Sequence, residues 1–204
     1  MPPKTVTFLC HKKTNVMTAI QNREILIYRH GRVRQTDISS FVWGHIAEAV
    51  LAYNSAPIEG GLSKEAEPFA NLIVTSTLRR SIDTAGQMFG RVDLIDPLFR
   101  EAELPDLPNL PLKLRPSHWF VIARLYWLLG ADRNCESQQL FRGRVAKAAR
   151  RLDDLAKGHG SVALIGHGVL NQYLARELLK LGYDGTRRPH WRYGQSCKFT
   201  LSKT

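Results

Sequence analysis

Three short pieces of this chain carry groups that seek phosphate. Arg29-His30-Gly31 is the first. The arginine guanidinium is a planar fork whose donors match phosphate oxygens. A neutral imidazole is a nucleophile that needs no prior deprotonation. Gly31 allows a sharp turn and the close approach of a ligand. Alone, the tripeptide says little, because a lone histidine at a strand end is more often structural. The theme returns in Arg79-Arg80 and again in Gly166-His167-Gly168.

Each piece follows an apolar, β-favouring run. Ile25 to Tyr28 precedes Arg29, Asn71 to Ser76 precedes Arg79, and Ser161 to Ile165 precedes His167. Helical patterns intervene. Phe41, Val42, Ile46, Ala49, Val50 and Tyr53 recur at helical spacing, and Ser63 to Ala70 reads as a short helix. Ile82, Ala85, Met88 and Phe89 share a face, as do Phe141, Val145, Ala148, Leu152 and Leu155. A last helix follows His167 and stops at Gly182. Val92 to Ile95 reads as a third strand and Gln195 to Ser202 as a final edge strand. Alternation of strand and helix predicts a three-layer α/β/α sandwich with a mostly parallel sheet. Such sheets bind ligands at the C-terminal ends of their strands, where helix N-termini add positive charge.

The segment between the third strand and the aromatic helix is of another kind. Pro105, Pro108, Pro111 and Pro116 make 104–118 an extended, semi-rigid insertion. It suits a cover over a cleft, a partner-binding arm or a passive connection. In Ser117 to Leu129, Trp119, Phe120, Tyr126 and Trp127 form a stripe that suits core, a subunit contact such as a homodimer, or a pocket wall.

Composition narrows the setting. The chain has 204 residues, 44% of them hydrophobic, enough for one domain with an insertion. No apolar run approaches the roughly 20 residues of a membrane span. Cys10, Cys135 and Cys197 are too few and too scattered for a disulfide framework or metal site, so a reducing cytoplasm is the simplest setting. Residues 1–23 carry bases and no acid and read as an N-terminal extension before a domain at 24–204. The net charge of +11 fits a basic surface that steers small phosphorylated substrates. Nucleic acid is the less favoured partner. Arg142, Arg144, Arg150 and Arg151 read as the solvated face of a helix and lack the aromatics of a single-strand binding groove.

Taken together, the motifs resemble the histidine phosphatase superfamily, with its phosphoglycerate mutase-like fold, over roughly 24–204. The signals are Arg29-His30-Gly31; Ser76 to Ala85, which follows the family's Ser-x-Leu-x-Arg-x-x-x-Thr-Ala pattern; Phe99-Arg100-Glu101; and Gly166-His167-Gly168. The resemblance implies a reaction without metal or cofactor. His30 would carry a phosphoryl group, while Arg29, Arg80 and His167 clamp its oxygens. Glu101 would serve as acid and then as base, with Glu103 the rival carboxylate. The motif spacing selects Arg80 over Arg79. Arg32, Arg34 and Gln35 are candidate secondary contacts to substrate.

The chain also departs from the family's mutases. Val33 and Thr36 stand where many members have Thr and Asn, and Ala102-Glu103-Leu104-Pro105 replaces the mutase continuation after the acid. Both changes favour a phosphatase acting on a phosphomonoester or a phosphoprotein. A phosphoglycerate-type mutase and a non-catalytic module binding phosphate or nucleic acid are the alternatives.

Overall fold

The computed structural model describes residues 22–34, 46–62, 70–108, 112–190 and 192–202. Gln35, most of the extension at 1–23, the start of the helix expected from Phe41, and all of the helix at 63–70 but Ala70 lie outside them. Five strands form one sheet in the order β3-β2-β4-β1-β5. These are β1 (Arg23–Arg29), β2 (Leu72–Thr75), β3 (Leu94–Ile95), β4 (Ser161–Gly166) and β5 (Ser196–Leu201). All neighbours run parallel except β5, which lies antiparallel on β1 at the edge.

Alternation along the strands explains the two helical layers, since successive side chains leave a strand on opposite faces. Ile25 and Ile27 of β1 join Val162 and Leu164 of β4 on one face. That face meets Phe141, Val145, Ala148 and Leu152 of α4 (Gln138–His159), and Leu170, Leu174 and Leu178 of α5 (Gly168–Lys180). Leu26 and Tyr28 join Ala163 and Ile165 on the other, under Ala85 and Met88 of α2 (Arg79–Phe89). A smaller cluster ties α1 (Ile46–Ser55) to α3 (Pro116–Leu128) through Ala49, Leu107, Trp119 and Ala123. Among the described residues, no helix is long and apolar enough to cross a membrane.

Two expectations need correction. The third strand is two residues long rather than four. The Asp93 carboxylate takes the Ile73 N–H at 2.7 Å, so a side chain replaces a ladder bond there. Arg144 is not a solvated helix residue. Its guanidinium is half-buried, pairs with Glu136 at 2.7 Å and donates to the carbonyls of Leu98 and Arg100. It braces the segment that leads to Glu101.

Candidate active site

Strand pairing brings distant residues together. β1 and β4 run parallel with Arg29 opposite Gly166, so the next residues, His30 and His167, emerge side by side. Their ring centroids are 5.2 Å apart. The His30 N–H donates to the Gly166 carbonyl at 3.1 Å and locks that pairing past the strand end. Beside them β2 ends at Thr75, opposite Ile165 of β4, and α2 begins at Arg79. The first turn of α2 therefore supplies Arg80 from the neighbouring strand.

Two glycines make the approach close enough. A Cβ on Gly31 would sit 2.9 Å from Leu62 Cδ1 and 3.3 Å from Thr84 Oγ1. Its N–H donates to Thr84 Oγ1 at 2.7 Å, and that hydroxyl in turn donates to the Arg80 carbonyl at 2.5 Å. Thr84 thus joins the His30-Gly31 loop to α2. A Cβ on Gly166 would overlap Asn171 Oδ1. Asn171 Nδ2 donates to the Tyr28 carbonyl at 3.0 Å, which fixes α5 against β1.

Hydrogen bonds orient both imidazoles and fix the tautomer of His30. His30 Nδ1 lies 2.7 Å from the Gly31 carbonyl oxygen. A carbonyl only accepts, so Nδ1 carries the proton and Nε2 keeps its lone pair. Burial, then the charge of Arg80, lowers the His30 pKa to about 3, with Arg29 adding to the effect and the Gly31 bond opposing it. His30 is therefore neutral, with its lone pair on Nε2, throughout the physiological range. His167 is fully buried, and its pKa is also held well below the usual value, first by burial and then by Arg80 and His30. Its Nε2 lies 2.7 Å from Ser76 Oγ. That oxygen also accepts the Leu78 N–H at 3.2 Å, which fixes the hydroxyl beside Nε2. The His167 Nδ1 is buried with no hydrogen-bond partner among the described residues.

Cationic groups surround this pair. Arg80 is 5% exposed; its Nη1 donates to Asn54 Oδ1 at 2.7 Å, its guanidinium lies 5.0 Å from the Tyr53 ring centroid, and its buried Nε has no partner. Arg29 is stacked 4.0 Å over Tyr193, whose ring is 5.7 Å from that of His30. Buried donors of this kind need an acceptor, and an oxyanion supplies several at once.

Of the two carboxylates, only Glu101 reaches the cleft. Its oxygens accept the Val169 and Leu170 N–H groups at 3.0 and 2.9 Å, in the first turn of α5, and its own neighbour's N–H, from Ala102, at 3.0 Å. A carboxylate has about four lone-pair directions, so one remains for a substrate or water. Glu103 turns away: it accepts the Glu136 N–H at 3.2 Å and lies 3.7 Å from Arg100. Arg79 faces outward as well, bonded to Asp83 and the Ser55 carbonyl. Arg32 pairs with Glu59 on the surface, and Arg34 is exposed.

A cleft of about 380 Å³ opens on this constellation. Arg29, His30, Arg80 and Glu101 form one end of the lining. Tyr53, Leu104, Phe120, Val121, Arg124 and Leu125, with Gly168 and Val169 at the start of α5, form the rest. A larger depression of about 530 Å³ flanks α2 near Pro57 and Arg91 and holds none of the groups above. The aromatic helix thus plays two parts: Trp119 and Trp127 are core, whereas Phe120 walls the cleft. Sequence reasoning did not single out Arg124. Its Nη2 and Nη1 donate to the carbonyls of Ala102 and Glu103 at 2.7 and 3.1 Å, which staples the Glu101 segment to α3. The spacing of Phe120, Val121, Arg124 and Leu125 was the available signal, since residues four apart share a helix face. Tyr193 and the role of Ser76 had no such signal.

Fold and site define an α/β protein with paired imidazoles and two arginines at the C-terminal edge of its sheet. The family model for the histidine phosphatase superfamily (branch 1) matches residues 62–204, and the chain belongs to that superfamily. The match begins after β1; the strand pairing described above is what joins Arg29-His30-Gly31 to it. Among solved structures, the chain is similar to a phosphoglycerate mutase from Bacillus anthracis strain Sterne. The identity is 17% over 91% of this chain and 90% of that one, with a TM-score of 0.56. It is similar also to a candidate alpha-ribazole-5'-P phosphatase from Escherichia coli K-12, at 16% identity over 89% and 94% of the two chains and a TM-score of 0.54. A mycobacterial glucosyl-3-phosphoglycerate phosphatase is 24% identical over 78% of this chain and 80% of its own, with a TM-score of 0.48. No curated protein sequence matches the chain.

Proposed function

We propose that this protein hydrolyses phosphomonoesters through a phosphohistidine on His30. The observation that carries the proposal is the fixed tautomer of a buried, neutral His30 beside His167 and Arg80. The His30 Nε2 lone pair attacks phosphorus, an N–P bond forms and the ester P–O bond breaks. Arg29, Arg80 and the His167 Nδ1–H hold the equatorial oxygens while charge shifts toward the leaving oxygen. Glu101 gives that oxygen its proton. Water then attacks the phosphohistidine and loses a proton to Glu101. The N–P bond breaks, phosphate leaves, and His30 returns to its neutral form. The basic field of the chain favours the approach of such substrates.

The mutase alternative shares the fold. The replacement of the continuation after the acid by Ala102-Glu103-Leu104-Pro105 supports hydrolysis, because a mutase must also retain and turn its intermediate. The test is a phosphate-release screen over a panel of phosphomonoesters with His30→Ala as control. Turnover by the wild type and none by the variant is expected. Turnover that survives in His30→Ala would refute the mechanism.

A further inference from the structure

We infer that the preferred substrate is an amphiphile, the phosphomonoester of an alcohol with an unbranched aliphatic tail. The inference rests on the hydrolytic reading above and adds the class of leaving group. Three observations point the same way. First, Arg29, Arg80 and Glu101 gather around His30, and apart from Arg124 and the Gly168 backbone the remaining wall is built from Leu104, Phe120, Val121, Leu125, Val169 and the Tyr53 ring. Second, the one further charged group in that wall is anchored: each terminal nitrogen of Arg124 gives one of its N–H groups to a main-chain carbonyl, which holds the guanidinium against the segment at 102–103. Among the described residues of the lining, Tyr53 carries the only side-chain hydroxyl and none carries a side-chain amide, so a sugar would leave most of its hydroxyls facing apolar side chains, which is unfavourable. Third, the apolar wall does not end at the cleft. Val121 and Leu125 line it and are still 58% and 55% exposed, and Leu128 and Leu129 continue the stripe at 46% and 87%. Residues at this spacing share one helix face, so α3 presents about 10 Å of apolar surface running on from the cleft. A cationic pocket that opens onto an apolar ramp matches a molecule with a phosphate head and a hydrocarbon tail.

The experiment compares n-alkyl phosphates from ethyl to octyl, below their aggregation limits, with glucose 6-phosphate. Each methylene that reaches the wall should raise kcat/KM about threefold to fourfold. Hexyl phosphate should outpace glucose 6-phosphate, and Val121→Asn or Leu125→Asn should pull the octyl-to-ethyl ratio toward one. Both side chains are more than half exposed, so neither change threatens folding. Calorimetric binding of the matching n-alkylphosphonates is measured in parallel. Turnover that is flat with chain length, or that favours the sugar ester, overturns the tail preference and leaves hydrolysis standing. Phosphonate affinity that climbs with chain length without turnover of any ester refutes hydrolysis and keeps the apolar ramp as a binding surface. Flat affinity without turnover removes both.

Discussion

Replacing His30 with glutamine should make the protein less sensitive to acid, because the native imidazole resists protonation. In the unfolded chain His30 has the ordinary histidine pKa of about 6.5. In the folded protein burial and Arg80 lower it to about 3. Between those values the unfolded state binds a proton that the folded state does not, so stability falls as the pH drops. The contribution is fully present above pH 6.5 and is lost progressively from there toward pH 3. At pH 5 the difference is about 1.5 pKa units, or about 2 kcal/mol. His30→Gln removes the titrating group and keeps a polar side chain. Urea unfolding of both proteins at pH 7 and pH 5 gives a double difference in which the effect of the substitution at neutral pH cancels. The wild type should lose about 2 kcal/mol more than the variant over that interval. Proton NMR reads the same quantity directly: the His30 ring signal, identified by its loss in the variant, should not titrate between pH 8 and pH 5. Equal acid sensitivity in the two proteins, together with a His30 inflection near pH 6.5, would refute the reasoning.

Other substitutions separate catalysis from architecture. Glu101→Gln should slow alkyl phosphates by about 10²- to 10⁴-fold and 4-nitrophenyl phosphate far less, since a good leaving group needs no acid; equal losses on both substrates would reduce Glu101 to a cap on α5. Ser76→Ala should lower kcat about tenfold by freeing the His167 tautomer, with Ser76→Thr restoring it. Nitrogen-15 shifts of the His167 ring should show mixed tautomers in the alanine variant only, and an unchanged ring spectrum would count against the assignment. Gly166→Ala should cost about 1–3 kcal/mol in urea unfolding, because its Cβ displaces Asn171 from the Tyr28 carbonyl.

Much of this arrangement was legible in the sequence, and the reasons differ from element to element. The runs at 25–28 and 162–165 are apolar because their strands are buried on both faces, so they stood out from their flanks. The helix over 79–89 could be read from its periodic face, and the motif within it selected Arg80 over Arg79. The meeting of His30 with His167 could not be read from spacing. It depends on a parallel register between strands far apart in the chain, and the motif resemblance stood in for that register. Arg144 was misread because its neighbours on the helix are solvated, while the segment that covers it comes from residues 98–100. Arg124 hid for a related reason. Its partners are main-chain carbonyls, which carry no sequence signal. The motif resemblance already favoured Glu101 over Glu103; what the sequence did not carry is the N-terminus of α5, whose N–H groups hold the Glu101 carboxylate while that of Glu103 turns toward Glu136.

The proposed covalent step on His30 is open to direct capture. Brief mixing of the enzyme with a turning-over phosphomonoester, an alkaline quench that preserves phosphohistidine, and peptide mapping by mass should place one phosphoryl group on the peptide containing His30. The label should fade as free phosphate appears and should be missing from His30→Ala. Steady turnover with no phosphorylated His30 at any mixing time, or with the phosphoryl group on another residue, would contradict the account.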